Sequence, residues 1–291
     1  MTSTDPIVPS SPNVPPVMKN LVAPVITALL IFGIFLYVTM FIFRTYNKTT
    51  LKTATLLTSP APIPQKISNN QLYNKDAMPK LFNGIEFSYS FWLFVCAEDM
   101  QDSTADKLIL ARTPTNNSLV NASPIFSMDG QTNKIHVSLR LNDSSSNTLD
   151  SILQDKNAYH TTTIDYVPLQ RWVNIILVVD NQFVQIFVDG ELRNVEDIAV
   201  TNEINKIPST PAGSLSVGKI SNSNTLNKNS FISKIQVSNY AYTIDHAKIL
   251  YKSGPLNSSI LSSLGINSIG VRNPFYTISP TLEPDENCTQ T

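Results

Sequence analysis

Apolar residues are distributed along this chain in two different ways. Residues 21–43, LVAPVITALLIFGIFLYVTMFIF, contain no charge, and such a run is long enough for a helix to cross a bilayer. A cleaved leader needs a basic start, a shorter apolar core and small residues at the cleavage point. This run begins late and ends in Phe43-Arg44-Thr45-Tyr46, so it predicts a single-pass anchor. From Leu81 the apolar residues come instead in short, often alternating runs between Asn, Asp, Ser, Gly and Pro. Strands are predicted over 85–96, 107–112, 124–128, 134–141, 172–180, 183–189, 214–219 and 230–238. Many short strands without alternating helices point to an antiparallel sandwich. One helical turn fits the pattern, 243–251, with Thr243 as its cap.

The run 171–193, RWVNIILVVDNQFVQIFVDGELR, is the most informative. Between Trp172 and Asp180 the odd positions are all apolar and the even ones mostly so, which predicts a central strand buried on both faces. Asp180-Asn181-Gln182 reads as a turn. On the return strand Val184, Ile186 and Val188 share one face, with Phe183, Gln185 and Phe187 on the other. Asp189-Gly190 is a two-residue hairpin signal, followed by a new strand from Glu191. On these grounds Asp189 is a turn residue first.

Outside the strands, residues 1–20 place Pro6, Pro9, Pro12 and Pro15 three apart, the period of a polyproline II rod. The segment reads as a solvated tail, with a partner-docking arm as the alternative. Residues 44–80 read as a polar linker with a stiff centre at Pro60, Pro62 and Pro64, able to span on the order of 100 Å if extended. Residues 256–291 read as a Ser-, Asn- and Pro-containing tail rather than a second domain. The expected order is therefore tail 1–20, transmembrane helix 21–43, linker 44–80, sandwich 81–255 and tail 256–291.

Composition narrows the function. Net charge is −1 with 15% charged residues, and the basic residues are scattered, which argues against nucleic acid as a partner. Lys19 stands alone before the apolar run, whereas Arg44, Lys48 and Lys52 follow it. The positive-inside rule then puts the C-terminal part on the cytoplasmic side. The two cysteines, Cys96 and Cys288, are distant in sequence and make neither a disulfide framework nor a zinc site. That suggests a reducing compartment, or a fold independent of cross-links. Sequons begin at Asn47, Asn116, Asn121, Asn142, Asn257 and Asn287. A chain this rich in Asn, Ser and Thr gives about that many by chance.

"IFVDGELR" after the Trp172 strand resembles the hairpin of laminin G-like domains in the concanavalin A-like lectin/glucanase superfamily. "GIEFSYSFWLFV" before it is similar too, as are "GSLSVGKI" and "SFISKIQVSNYAYTIDHAKILYKSGP" after it. The resemblance covers residues 81–255 and implies a mainly β fold, a jelly-roll sandwich of two antiparallel sheets. Anchor, linker and sandwich together also resemble membrane-anchored proteins of large DNA viruses. That likeness implies a virion-membrane or minor capsid component.

Chemistry is sparse. Glucanases of this superfamily set two carboxylates across the sugar from alternating strand positions, and no such alternation occurs. Glu98, Asp99 and Asp102 cluster in a polar loop, while Glu196 and Asp197 are adjacent and would face opposite sides of a strand. His136, His160 and His246 lie far apart, without triad or ligand spacing. Asp129, Asn142, Asp143 and Asp180 are loop oxygens of the kind calcium takes, but they form no dense acidic loop. No catalytic, cofactor-binding or metal residue is therefore assigned, and no cofactor is expected. The resulting expectation is a non-enzymatic, single-pass membrane protein, embedded in lipid through 21–43. Its jelly roll would bind other structural proteins and tie an internal virion membrane to a capsid shell. The alternative is a glycan-binding surface attachment or adhesion protein.

Overall fold

The computed structural model describes residues 16–50, 52–64, 71–81, 84–100, 105–115, 118–201, 206–220, 223–226 and 229–256. The N-terminal tail 1–15 and the C-terminal tail 257–291 lie outside the described residues, as does Asp102. The chain divides between Thr50 and Leu51 into two units.

The first unit contains helix α1, Pro16–Thr50. Proline suits a first helical turn because its missing N–H has no partner there. Pro24 lies further inside the helix. Within α1, Pro24–Ile42 is long and apolar enough to cross a membrane. Its 19 residues give a rod about 28 Å long, close to the thickness of a hydrocarbon core. Leu29, Ile31, Phe35 and Tyr37 are all exposed.

The second unit is mainly β. In chain order its strands are β1 (Thr53–Thr55), β2 (Ala61–Pro62), β3 (Gln71–Tyr73), β4 (Glu86–Phe94), β5 (Lys107–Thr113), β6 (Ile125–Met128) and β7 (Ile135–Arg140). They continue with β8 (Tyr159–Ile164), β9 (Trp172–Asp180), β10 (Phe183–Val188), β11 (Glu191–Asp197), β12 (Ser214–Val217), β13 (Asn224–Thr225) and β14 (Phe231–Ser238). Helices α2 (Leu149–Gln154), α3 (Ile198–Thr201) and α4 (Ile244–Lys252) fill the connections.

Two seven-stranded sheets result. One runs β1-β14-β4-β9-β10-β11, with β2 also on β14; the other runs β3-β12-β5-β6-β7-β8, with β13 on β5. All pairs are antiparallel except β13 with β5. This is the two-sheet antiparallel sandwich that the strand pattern predicted, preceded by the apolar helix.

The linker expected over 44–80 is corrected in part. Its residues supply β1, β2 and β3, which join both sheets, and Ile63 is buried in the main core. The physical reason is backbone pairing: an irregular polar segment satisfies its N–H and C=O groups on an open sheet edge, whatever its side chains. Strand β8 and helix α2 were not anticipated either. Thr-rich YHTTTI carries little apolar alternation, and α2 is a single short element held by a Thr148–Ser151 capping box.

The core explains the sequence of the central strands. Phe87, Tyr89, Phe91 and Leu93 of β4 meet Val173, Ile175, Leu177 and Val179 of β9 between the sheets, with Val184, Ile186 and Val188 of β10. The outer face of β9 is also covered: Ile176 and Val178 pack with Phe187, Tyr242 and Ala247. Ser88 on the outer face of β4 donates its hydroxyl to Tyr240 O at 2.8 Å and accepts from Tyr242 N–H at 3.0 Å. Segment 239–252 is thus fastened across the outside of this sheet, which is why β9 is apolar on both faces.

Candidate functional site

Three polar groupings are large enough to be functional. The first is the hairpin tip. Asp189 and Gly190 have φ of 53° and 76°, the double positive φ of a type I′ turn. Asp189 Oδ1 accepts from Asn174 N–H at 2.9 Å, and Asn174 O accepts from Asp189 N–H at 2.8 Å. Arg171 Nη2 donates to Asp189 Oδ2 at 2.5 Å. Burial holds the Asp189 carboxyl above its usual range, against the opposing pull of the Asn174 amide and Arg171. Both oxygens therefore serve the turn, and the expectation of a turn residue stands.

The second grouping joins the two sheets at their edges. His160 and Thr162 on β8 face Glu196 on β11. His160 Nε2 is 2.6 Å from Glu196 Oε2, and the Thr162 hydroxyl donates to the same oxygen at 2.8 Å. Asn194 donates to Oε1 at 2.6 Å. Burial alone would raise the Glu196 carboxyl, but these donors and the His160 charge hold it below the usual range. A Thr, a His and a Glu together suggest a nucleophile relay. The geometry is otherwise: the hydroxyl donates directly to the carboxylate and the imidazole meets both through one nitrogen, so His160 does not stand between Thr162 and the acid as a relay requires. Asp197 points elsewhere, accepting from Gln182 Nε2 at 3.1 Å and Ala199 N–H at 3.0 Å, which keeps the two acids from acting as a facing pair.

The third grouping lies where β5 begins and β6 turns into β7. Asp106 precedes β5, Asp129 follows β6 and His136 sits on β7, with one donor atom from each within 4.8 Å of the others. Lys107 pairs with Met128 and Ser127 pairs with His136, so ladder register brings the three residues together. Asp129 was among the loop oxygens singled out in the sequence. Asp106 was not, because it looks like any other polar residue before a strand. Burial holds the Asp106 carboxyl above its usual range, opposed by His136 and reinforced by Asp129.

The remaining sequence candidates go separate ways. Asp143 pairs with Arg140 at 2.5 Å, Asn142 donates to Asn157 O at 2.7 Å and accepts from Lys206, and Asp180 accepts from Asn181 at 3.1 Å. Asp99 is buried and accepts from the Ser230 hydroxyl. His246 stacks on Tyr242 with ring centroids 4.2 Å apart. Cys96 is fully buried and disulfide-bonded, which corrects the reading of the fold as one without cross-links.

No family model matches the chain, and no curated protein matches it. Among solved structures, it is similar to the receptor binding domain of botulinum neurotoxin D. That similarity is 12% identity and a TM-score of 0.48, covering 70% of this chain and 48% of that one. A botulinum neurotoxin type G receptor binding domain matches at 16% identity and a TM-score of 0.41, over 67% of this chain and 46% of that one. The serotype D ligand binding domain in complex with N-acetylneuraminic acid matches at 11% identity and a TM-score of 0.46, over 70% and 46%. The matched region is thus less than half of each of those structures. The sandwich assignment rests on the strand pairing described above.

Proposed function

We propose that this chain is a non-catalytic, single-pass membrane protein whose β-sandwich, of the concanavalin A-like kind, binds other structural proteins. The observation that carries this reading is α1, where Pro24–Ile42 is apolar, free of charge and long enough to span a hydrocarbon core. A helix apolar all round has no polar face to turn to water, and lipid is the solvent that stabilises such a surface. Among the described residues of the sandwich, the polar groupings have structural partners. The polar groups at the hairpin tip and at the sheet edges are engaged by their own neighbours.

In its sharper form the protein ties an internal virion membrane to a surrounding shell. The likeness to membrane-anchored proteins of large DNA viruses supports this. So does the excess of Arg44, Lys48 and Lys52 over Lys19, which favours the sandwich on the cytoplasmic, shell-facing side. Crosslinking mass spectrometry on purified particles or membranes tests it. Lysines of the sandwich, such as Lys134, Lys156 and Lys248, are expected to crosslink to a shell protein. Their crosslinking only within the chain sinks the proposal.

A glycan-binding surface protein is the second reading. It is favoured by the Cys96 disulfide, since disulfides persist on the oxidising side of a membrane. A glycan array probed with the purified chain, with and without Ca²⁺, separates the two. Saturable binding to one sugar class supports the surface reading, and a blank array removes it.

A further inference from the structure

We propose that Asp106, Asp129 and His136 bind a divalent transition-metal ion of the zinc or manganese kind. The inference is independent of which partner the sandwich takes.

Each of the three side chains has one donor atom fixed by the protein and another left over. Gly130 N–H donates to Asp106 Oδ1 at 3.3 Å. Gln131 and Thr132 N–H groups donate to Asp129 Oδ1 at 2.7 and 2.9 Å. His136 Nδ1 is 3.1 Å from the Thr163 hydroxyl. The same pattern orients metal ligands generally: a second contact fixes the ring or carboxylate and leaves the other atom for the ion. Here the atoms left over are Asp106 Oδ2, Asp129 Oδ2 and His136 Nε2, and the last two lie 3.9 Å apart.

Asp106 Oδ2 is the independent observation. It is buried from solvent and has no hydrogen-bond partner. A buried carboxylate oxygen without a partner is costly, and native structures rarely leave one so. Its electrostatic neighbours are His136, which favours the charged carboxylate, and Asp129 and Asp150, which oppose it. A dication satisfies the orphan oxygen and neutralises Asp106 and Asp129 together.

The donor set selects the metal class. Two carboxylate oxygens and an imidazole nitrogen suit zinc or manganese, whereas calcium and magnesium prefer oxygen alone. Metal–ligand lengths of about 2.1 Å put tetrahedral donors about 3.5 Å apart. The three donors, within 4.8 Å of one another, reach that by closing about 1 Å, which carboxylate torsions supply. Three protein ligands leave a position open to water or to a partner's side chain.

The test uses the full chain in detergent micelles, stripped with chelator and dialysed against micromolar Zn²⁺ or Mn²⁺. One equivalent is expected, with a raised thermal midpoint as a bound ion requires. Asp106→Asn and His136→Gln are each expected to weaken binding on the order of 100-fold, and Asp165→Asn to leave it unchanged. Thermal melts of the variants without metal establish that they are folded. The His136 ring resonances, shifting on Mn²⁺ or Zn²⁺ addition in the unsubstituted chain, give a readout that needs no variant. Absence of stoichiometric binding, binding that survives both substitutions, or preference for Ca²⁺ overturns the assignment.

Discussion

His160 Nε2 and Glu196 Oε2 stand 2.6 Å apart, joining β8 of one sheet to β11 of the other. A sandwich holds its middle by apolar packing, but its sheet edges need a specific tie. Here His160 is 6% and Glu196 23% exposed, so the contact is largely shielded from water. Glu196→Ala removes the acceptor for three donors and leaves His160 and Thr162 without it. A loss of about 2 kcal/mol is expected in urea denaturation. Because the Glu196 carboxyl is held below its usual range, its contribution is complete above the ordinary carboxylate pKa. It fades as pH falls through the lower folded value. The stability difference between the chain and Glu196→Gln should therefore shrink as pH drops below about 4.

Gly190 is required on two counts. Its φ is +76°, and an added Cβ would lie 2.9 Å from Tyr251 Cβ on α4. Gly190→Ala is expected to lower stability by about 1–3 kcal/mol, measured by thermal or chemical unfolding. Asp189→Asn keeps a residue that tolerates positive φ and is expected to cost less. Equal costs at the two positions would count against the type I′ geometry.

Within the crossing segment His246 stacks on Tyr242, and burial pushes its imidazole below the usual histidine range. The folded state then binds fewer protons than the unfolded chain near pH 6, so stability falls as pH drops through about 6.5. His246→Gln should flatten that part of the pH–stability curve. An unchanged slope in the variant would place the titration elsewhere.

Cys96 is buried and disulfide-bonded. Its tryptic peptide should stay unlabelled by iodoacetamide in denatured, unreduced protein and become labelled only after reduction. Labelling before reduction would remove the observation that favours the oxidising-side reading.

Much of this architecture was legible along the chain because burial on one face or both leaves a periodic trace. The run 172–180 was apolar at alternate and at intervening positions, and β9 is covered on both sides for that reason. Asp189-Gly190 announced its turn because few residues other than glycine, Asn and Asp accept positive φ. The Pro24–Ile42 span announced itself by lacking charge. Ser88 and Ser90 are polar positions of β4, and both are buried. Ser88 carries the chain segment that crosses β4, and nothing local in EFSYSF encodes that partner.

The sequence by itself determined the apolar helix, the central strands, the turn chemistry and the capped helix at Thr243, since each follows from local propensity and periodicity. Only the tertiary structure decided the use of Thr53–Thr55, Ala61–Pro62 and Gln71–Tyr73 as strands, the His160–Glu196 tie and the meeting of Asp106, Asp129 and His136. Those depend on ladder register between strands far apart in the chain. A one-residue slip would turn every side chain to the other face, and no local pattern records the pairing.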